Sequence, residues 1–439
     1  MKILLYIDPG TGAMLFSIMI GVASALLFLI QKLKLKLKFL FSGGKIRSEN
    51  GGKKAPYLIF AESKRYWNLF KPICDEFERR GEDVIYWTQS EDDPVFSESY
   101  EHVKAEWIGE GNKAFTRLNF ASASILLATT PNLDVYQWKR SKSVDWYVHI
   151  YHAAGKHILY RMFALDFYDA VLLTGELQKP YIRKLEEMRN LPAKELFKVG
   201  SPILDAMAAR LDRENEKKSA PEENGSGNVR VLLAPSWGAS SLLMKYKDAL
   251  IDALIATGFS LTIRPHPQSF TSDREEIERL MEKYPDSEKL QWNRDNDNFD
   301  VLKRSDVLIS DFSGVILDFS LIFDQPVLYS ASELDTSIYD AAWFDKEEAT
   351  ELYQRLGVEI TEDDFPSLKE KILSALKDES LSAARKEVRD LAWENRGSAA
   401  SAVVDYLTEK YQSLIQTKSA VEQKKRKKGA DAEKALQEK

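Results

Sequence analysis

Residues 307–330 read VLISDFSGVILDFSLIFDQPVLYS. An apolar strand, Val307 to Ser310, runs into the turn Asp311-Phe312-Ser313-Gly314, and a helix opens at Val315. Asp324-Gln325-Pro326 returns the chain to a second apolar strand ending at Ser330. Strands joined through a helix pair in parallel, so this stretch predicts an α/β fold with a covered sheet. Ser313 is placed to cap the helix, whose first amides carry partial positive charge and form a natural phosphate site. The same residues serve equally well in an ordinary strand–helix–strand unit with a good cap.

The pattern continues outward in both directions. Val229–Ala234 and Ser260–Arg264 read as strands, with helices over Leu242–Thr257 and Arg274–Lys283. Upstream, Tyr57–Phe60, Asp83–Trp87, Ser124–Thr129, Trp146–Tyr151 and Ala170–Thr174 read as strands, and Trp67–Arg80 as a helix stopped by Gly81. Between these halves lies RENEKKSAPEENGSGN, a polar linker over residues 213–228. The expected organisation is an anchor over 1–31, a basic linker over 32–55, a first α/β half over 56–212, the linker, a second half over 229–415 ending in helices, and a charged tail over 416–439.

The anchor is read from Ala13 to Ile30, 18 residues without a charge, long enough as a helix to cross a bilayer. Lys32, Lys34, Lys36, Lys38, Lys45 and Arg47 follow it, which places that side in the cytoplasm. A cleaved signal peptide carries its positive charges before the apolar run, not after it. The net charge of −7 is uneven: residues 32–54 carry +7 and 417–439 carry +4, leaving −18 for the rest. So acidic a body excludes general nucleic-acid binding and leaves any anionic ligand to local donors. One cysteine, Cys74, excludes a disulfide framework within the chain.

Five histidines are present, and their settings matter. In Arg264-Pro265-His266-Pro267, a strand ends in a histidine held rigid between two prolines. His266, helped by Arg264, is placed to donate hydrogen bonds to a diphosphate and stabilise its developing charge. The run YVHIYHAAGKH, 147–157, holds three more. His149 and His152 face opposite sides of a strand, and no acid lies in the run, which argues against a metal pair. His152, at the strand end and followed by small residues, reads as a general base, with Lys156 beside a phosphate. Gly200 in V-G-S-P and Gly238 in A-P-S-W-G permit close approach of backbone to a ligand, or merely shape turns.

In this order the segments around His152, Gly200 (VGSP), Ser236 (APSW) and His266 (RPHP), with SDFSG and Asp318 at 310–318, resemble the CDP-glycerol glycerophosphotransferase family of teichoic-acid-type polymer synthesis. The resemblance covers roughly residues 147–400. It implies a GT-B-like pair of Rossmann-like domains, which with the apolar run 13–30 gives an expected α/β fold of two such domains preceded by one transmembrane helix. It also implies attack of an acceptor hydroxyl on the β-phosphorus of CDP-glycerol with loss of CMP. No cofactor or metal is expected from the residues. By position His152 is the implied base and His266 the implied diphosphate ligand. Ser310, Asp311, Ser313, Gly314, Ser236, Gly200, Arg264 and Lys156 form the implied donor site. The expected partners are CDP-glycerol or a similar donor, a lipid-linked acceptor and membrane lipids, at the bacterial cytoplasmic membrane. Two positions depart from the family pattern: Ala153 stands where glycine follows the first histidine, and Gly238 where a basic residue follows the tryptophan. A nucleotide-sugar glycosyltransferase and an inactive scaffold are the alternatives.

Overall fold

A computed structural model of the chain describes residues 54–155, 160–217, 228–295, 297–330 and 351–437. The expected anchor over 1–31, the basic segment as far as residue 53, Lys156 and most of the 213–228 linker lie outside the described residues. Among the described residues, no helix is long and apolar enough to cross a membrane. Residues 55–439 form one compact unit.

That unit is built on two sheets, each wholly parallel. The first contains β1 (Ala55–Ala61), β2 (Val84–Thr88), β3 (Val103–Trp107), β4 (Ala123–Ala128), β5 (Val144–Ile150), β6 (Ala170–Leu173) and β7 (Glu195–Lys198), in the order β3-β2-β1-β4-β5-β6-β7. The second contains β8 (Arg230–Leu233), β9 (Ser260–Ile263), β10 (Leu290–Trp292), β11 (Val307–Ser310), β12 (Val327–Tyr329) and β13 (Gly357–Glu359), in the order β10-β9-β8-β11-β12-β13. Central strands such as β4 and β11 are buried along their whole length, as a sheet covered on both faces requires. Each order reverses once, between β1 and β4 and between β8 and β11. Crevices at such reversals, beyond the carboxyl ends of the strands, are where ligands bind in open α/β sheets.

Helices cover both faces. Helix α1 (Trp67–Arg80) buries Trp67, Leu69, Phe70, Ile73, Cys74 and Phe77 and ends on Gly81 at φ 67°, whose amide reaches the Phe77 carbonyl. Helix α2 (Gly111–Leu118) follows β3, and α3 (Lys179–Met188) follows β6. Helix α4 (Pro202–Lys217) extends into the expected linker, because Arg210 pairs with Asp300 at 2.7 Å and stacks over the Phe299 ring at 4.0 Å. In the second half, α5 (Leu242–Ala256), α6 (Arg274–Lys283) and α7 (Phe299–Lys303) alternate with strands. The helix expected to open at Val315 is short: α8 covers Val315–Asp318, and Phe319–Phe323 widens into a π turn.

The chain's end does not stay with the second half, where the sequence reading put it. After α9 (Leu368–Lys377) and α10 (Ser380–Ala392), the chain crosses over and α11 (Ala399–Gln437) packs on the first sheet. Val403, Val404, Tyr406 and Leu407 are buried in the first sheet's core beside Tyr57, Ile59 and Val148. The helix also continues through the segment expected as a tail.

Candidate active site

The two reversal points contribute the loops of one cleft. From the second sheet come the ends of β8 (Ala234 to Gly238), β9 (Arg264 to Pro267) and β11 (Asp311 to Gly314); from the first come the ends of β1 (Glu62 to Tyr66), β4 (Thr129, Thr130) and β5 (His152 to Gly155). They meet directly. A Cβ placed on Gly314 would lie 3.6 Å from the Ala153 Cβ, and one on Gly155 would lie 3.2 Å from Leu317. Ala154 is buried in the second sheet's apolar cluster with Ile316 and Leu317. The Gln178 amide nitrogen donates to the Ala153 and Gly155 carbonyls at 3.2 and 3.1 Å, so the loop carrying His152 is held from below as well.

His152 is half-buried, with its Nδ1 3.0 Å from the Thr129 hydroxyl and its ring 5.1 Å from that of Tyr66. Burial lowers its pKa to about 4, so the ring is neutral at pH 7. His266 is also shifted down to about 4, chiefly by burial and further by the charges of Arg65 and Arg264, against Asp273. The Gln268 amide donates to its Nδ1 at 3.1 Å, so the neutral ring carries its proton on Nε2 as a donor. Trp237 lies beside it, ring centroids 6.5 Å apart. Arg264 donates to the side-chain Oδ1 of Asn293 and is half-buried.

Three expected ligand-facing residues are engaged internally. Asp311 is 1% exposed, and its two carboxylate oxygens accept the Ser236 and Leu242 amides, each at 2.8 Å. It ties the β8 loop and the start of α5 to the end of β11. Burial raises its pKa to about 6. Ser310 is buried and its hydroxyl donates to the Ala234 carbonyl at 2.6 Å. Gly200 has φ 90°, but the backbone approaching it is protein: a Cβ there would lie 2.2 Å from the Glu394 carbonyl oxygen, in the crossing segment. Ser313 remains at the cleft, half-buried, with a stretched 3.5 Å contact to the Val315 amide instead of the strong cap expected. Ser236 is buried and Gly314 exposed beside Ala153. His149 is buried among Tyr151, Tyr160 and Tyr168, away from the cleft.

Sequence reasoning missed the β1 and β4 contributions: Glu62, Arg65, Tyr66 and Thr129. Their signal is topological. Nothing in the local sequence says that β1 and β4 flank a reversal in strand order. Glu62 is exposed just past β1, yet its surroundings desolvate the carboxyl and push its pKa up, with the Thr130 hydroxyl opposing.

The model of the family "CDP-Glycerol:Poly(glycerophosphate) glycerophosphotransferase" matches residues 161–391, more than half of the chain. The chain belongs to that family. It is a CDP-glycerol glycerophosphotransferase-like enzyme, as the sequence resemblance implied. A comparison with curated proteins finds no match. Among solved structures, the fold is similar to that of the wall teichoic acid polymerase TagF, with a TM-score of 0.57 and 14% identity over 90% of this chain and 99% of that one. It is similar to a TagF variant soaked with CDPG, at TM-score 0.54 and 14% identity over 82% and 90%. It is also similar to the UDP-GlcNAc 2-epimerase of Methanocaldococcus jannaschii in complex with UDP-GlcNAc and UDP, at TM-score 0.54 and 14% identity over 80% and 99%. These likenesses concern the fold: two facing Rossmann-like halves of GT-B type.

Proposed function

We propose that this glycerophosphotransferase-like enzyme moves glycerol phosphate, or a similar alditol phosphate, from a CDP-activated donor to a hydroxyl of a lipid-linked saccharide or teichoic-acid-type polymer, releasing CMP. The observation that carries the reading is the pairing of two desolvated, neutral histidines from opposite sheets on one cleft at both reversal points. His152 accepts the proton of the acceptor hydroxyl. Its Nδ1 lies 3.0 Å from the Thr129 hydroxyl, and when Nδ1 donates there, Nε2 is the nitrogen that takes the proton. The hydroxyl oxygen bonds to the β-phosphorus, the bond to the bridging oxygen breaks, and CMP leaves with the electron pair. The Nε2–H of His266 donates to the diphosphate, where charge grows as CMP departs. Ser313 and Gly314 line the donor side, and Lys156 is assigned beside a phosphate. Asp311 acts through the loops it ties together. Within this reading, the apolar run 13–30 and its lysine flank tether the enzyme to the cytoplasmic membrane of a bacterium, where a lipid-linked acceptor is held.

The test incubates the full chain in membranes with labelled CDP-glycerol and, separately, with UDP-sugars. CMP release is expected, and His152→Ala should lower it by about 10²- to 10⁴-fold while calorimetry shows donor binding retained. UDP release from a nucleotide sugar, with none of CMP from CDP-glycerol, would transfer the assignment to glycosyl transfer. CDP-glycerol bound without turnover on any acceptor would point to a scaffold.

A further inference from the structure

The loop after β8 is pinned on both sides of one aromatic residue. Asp311 accepts the Ser236 and Leu242 amides, each at 2.8 Å, and Asp273, just before α6, accepts the Gly238 amide at 3.0 Å. Gly238 turns the chain at φ 86°, and its carbonyl accepts the Ser241 amide at 2.9 Å. Trp237 stands between two anchored amides and is 37% exposed. The loop after β9 is held as firmly: the His266 carbonyl accepts the Ser269 amide at 2.8 Å, and its Nδ1 accepts the Gln268 amide at 3.1 Å. The two loops keep the indole and imidazole centroids 6.5 Å apart, with the planes tilted by 36°. That separation is near the outer limit of an aromatic pair, about 7 Å, so the imidazole does not lie flat over the indole. A lone exposed aromatic on an open surface needs no explanation. One fixed at its backbone, in the cleft, beside the histidine assigned to the diphosphate, does.

We propose that Trp237 is the platform on which the nucleobase of the donor stacks. This rests on the function proposed above and adds to it the subsite for the base. Trp237 belongs to the second sheet, with His266, whereas His152, which takes the acceptor's proton, belongs to the first. The part of the donor on the side of Trp237 is therefore the departing CMP, not the glycerol that is passed across. CMP carries the donor's planar aromatic group; glycerol phosphate has no flat face to offer an indole. Stacking uses the π face that every nucleobase has, so this contact grips the nucleoside without choosing cytosine over uracil. Fixing the loop in advance spares the ordering that a mobile side chain would lose on binding. Because the base is remote from the reacting phosphorus, the contact is as strong before the displacement as during it. It acts on KM and leaves kcat to the histidines.

The full chain, with Trp237→Ala and Trp237→Phe, tests this. Calorimetric affinities are measured for CMP, CDP-glycerol and inorganic diphosphate, the last of which has no base, together with the kinetics of CMP release and thermal midpoints. Trp237→Ala should weaken CMP and CDP-glycerol by about 5- to 100-fold and leave diphosphate within about twofold of wild type, at an unchanged midpoint. Its KM for CDP-glycerol should rise with little change in kcat. Trp237→Phe, which keeps a π face, should recover part of the loss. Wild-type affinity for CMP in Trp237→Ala, a loss as large for diphosphate as for CMP, or no recovery in Trp237→Phe would overturn the stacking role alone. A wild-type chain that neither binds CDP-glycerol nor releases CMP would overturn the proposed function, and the role with it.

Discussion

The chemistry proposed for this enzyme depends on two imidazoles being neutral, and each is kept so by a different mix of forces. His152 is shifted by burial alone; His266 is shifted by burial and by two nearby guanidinium charges. With both values near 4, protonation begins only well below the usual histidine range. The pH profile of kcat/KM, which reports the free enzyme, should therefore keep its plateau down to about pH 5 and fall below it. An acid limb centred near 6.5, the ordinary histidine value, would mean that His152 sits in water and not in this cleft. Stability should not mimic that limb. Between about pH 4 and 6.5 the depressed histidines make the folded state less stable as pH falls. The raised carboxyls of Asp311 and Asp318, near 6, oppose them by favouring the protonated folded state in much of the same window. At this scale motif and role separate. SDFSG was legible as a candidate site, but how its side chains are engaged was not, because Asp311 and Ser310 find backbone partners 69 to 76 residues away.

Among the elements, the central strands were legible and the edges were not. β4 and β11 are continuous apolar runs, whereas β3 (VKAEW) and β7 (ELFK) are half-exposed and so mostly polar or alternating. A strand with one side in solvent has little apolar signal to read. The glycines of the connecting loops show the same limit. Gly200 has a positive φ that any reading could suspect, but what it admits is the Glu394 backbone. Gly200→Ala should therefore lower the thermal midpoint, because an L side chain is strained at φ 90° and its Cβ would collide with a carbonyl that cannot swing aside. CDP-glycerol affinity of the folded fraction, followed by calorimetry below the transition, should stay within about twofold of wild type. A weakened affinity at an unchanged midpoint would return Gly200 to the ligand.

Across the whole molecule, α11 joins the end of the chain to the first sheet. Asp205 in α4 accepts the Trp393 indole and the Ala399 amide, each at 2.8 Å, and Asn395 donates to the Lys198 carbonyl at 2.9 Å. The Trp146 indole donates to the Tyr406 hydroxyl. Burial of side chains such as Val403, Val404, Tyr406 and Leu407 contributes about 1.5–3 kcal/mol each, in sum comparable with the total stability of a domain at about 5–15 kcal/mol. A chain ending at Ser398 should thus fail to give a cooperative transition for the first half. A chain ending at Lys418 keeps those four residues and should melt within a few degrees of the full protein. Equal melting of both truncations would show that the first sheet does not depend on α11.

By itself, the sequence determined the fold class, the central strands and the resemblance to glycerophosphotransferases, and it singled out the two histidines as candidates, because each is written locally, in apolar runs, prolines and short motifs. Only the tertiary structure decided that β1 and β4 flank the site, that Asp311 and Ser310 serve the loops, that Gly200 receives protein backbone, and that the last helix belongs to the first sheet. Those outcomes depend on strand order and on contacts between residues far apart in the chain. A parallel sheet sets its order through crossovers whose partners no local stretch of residues specifies.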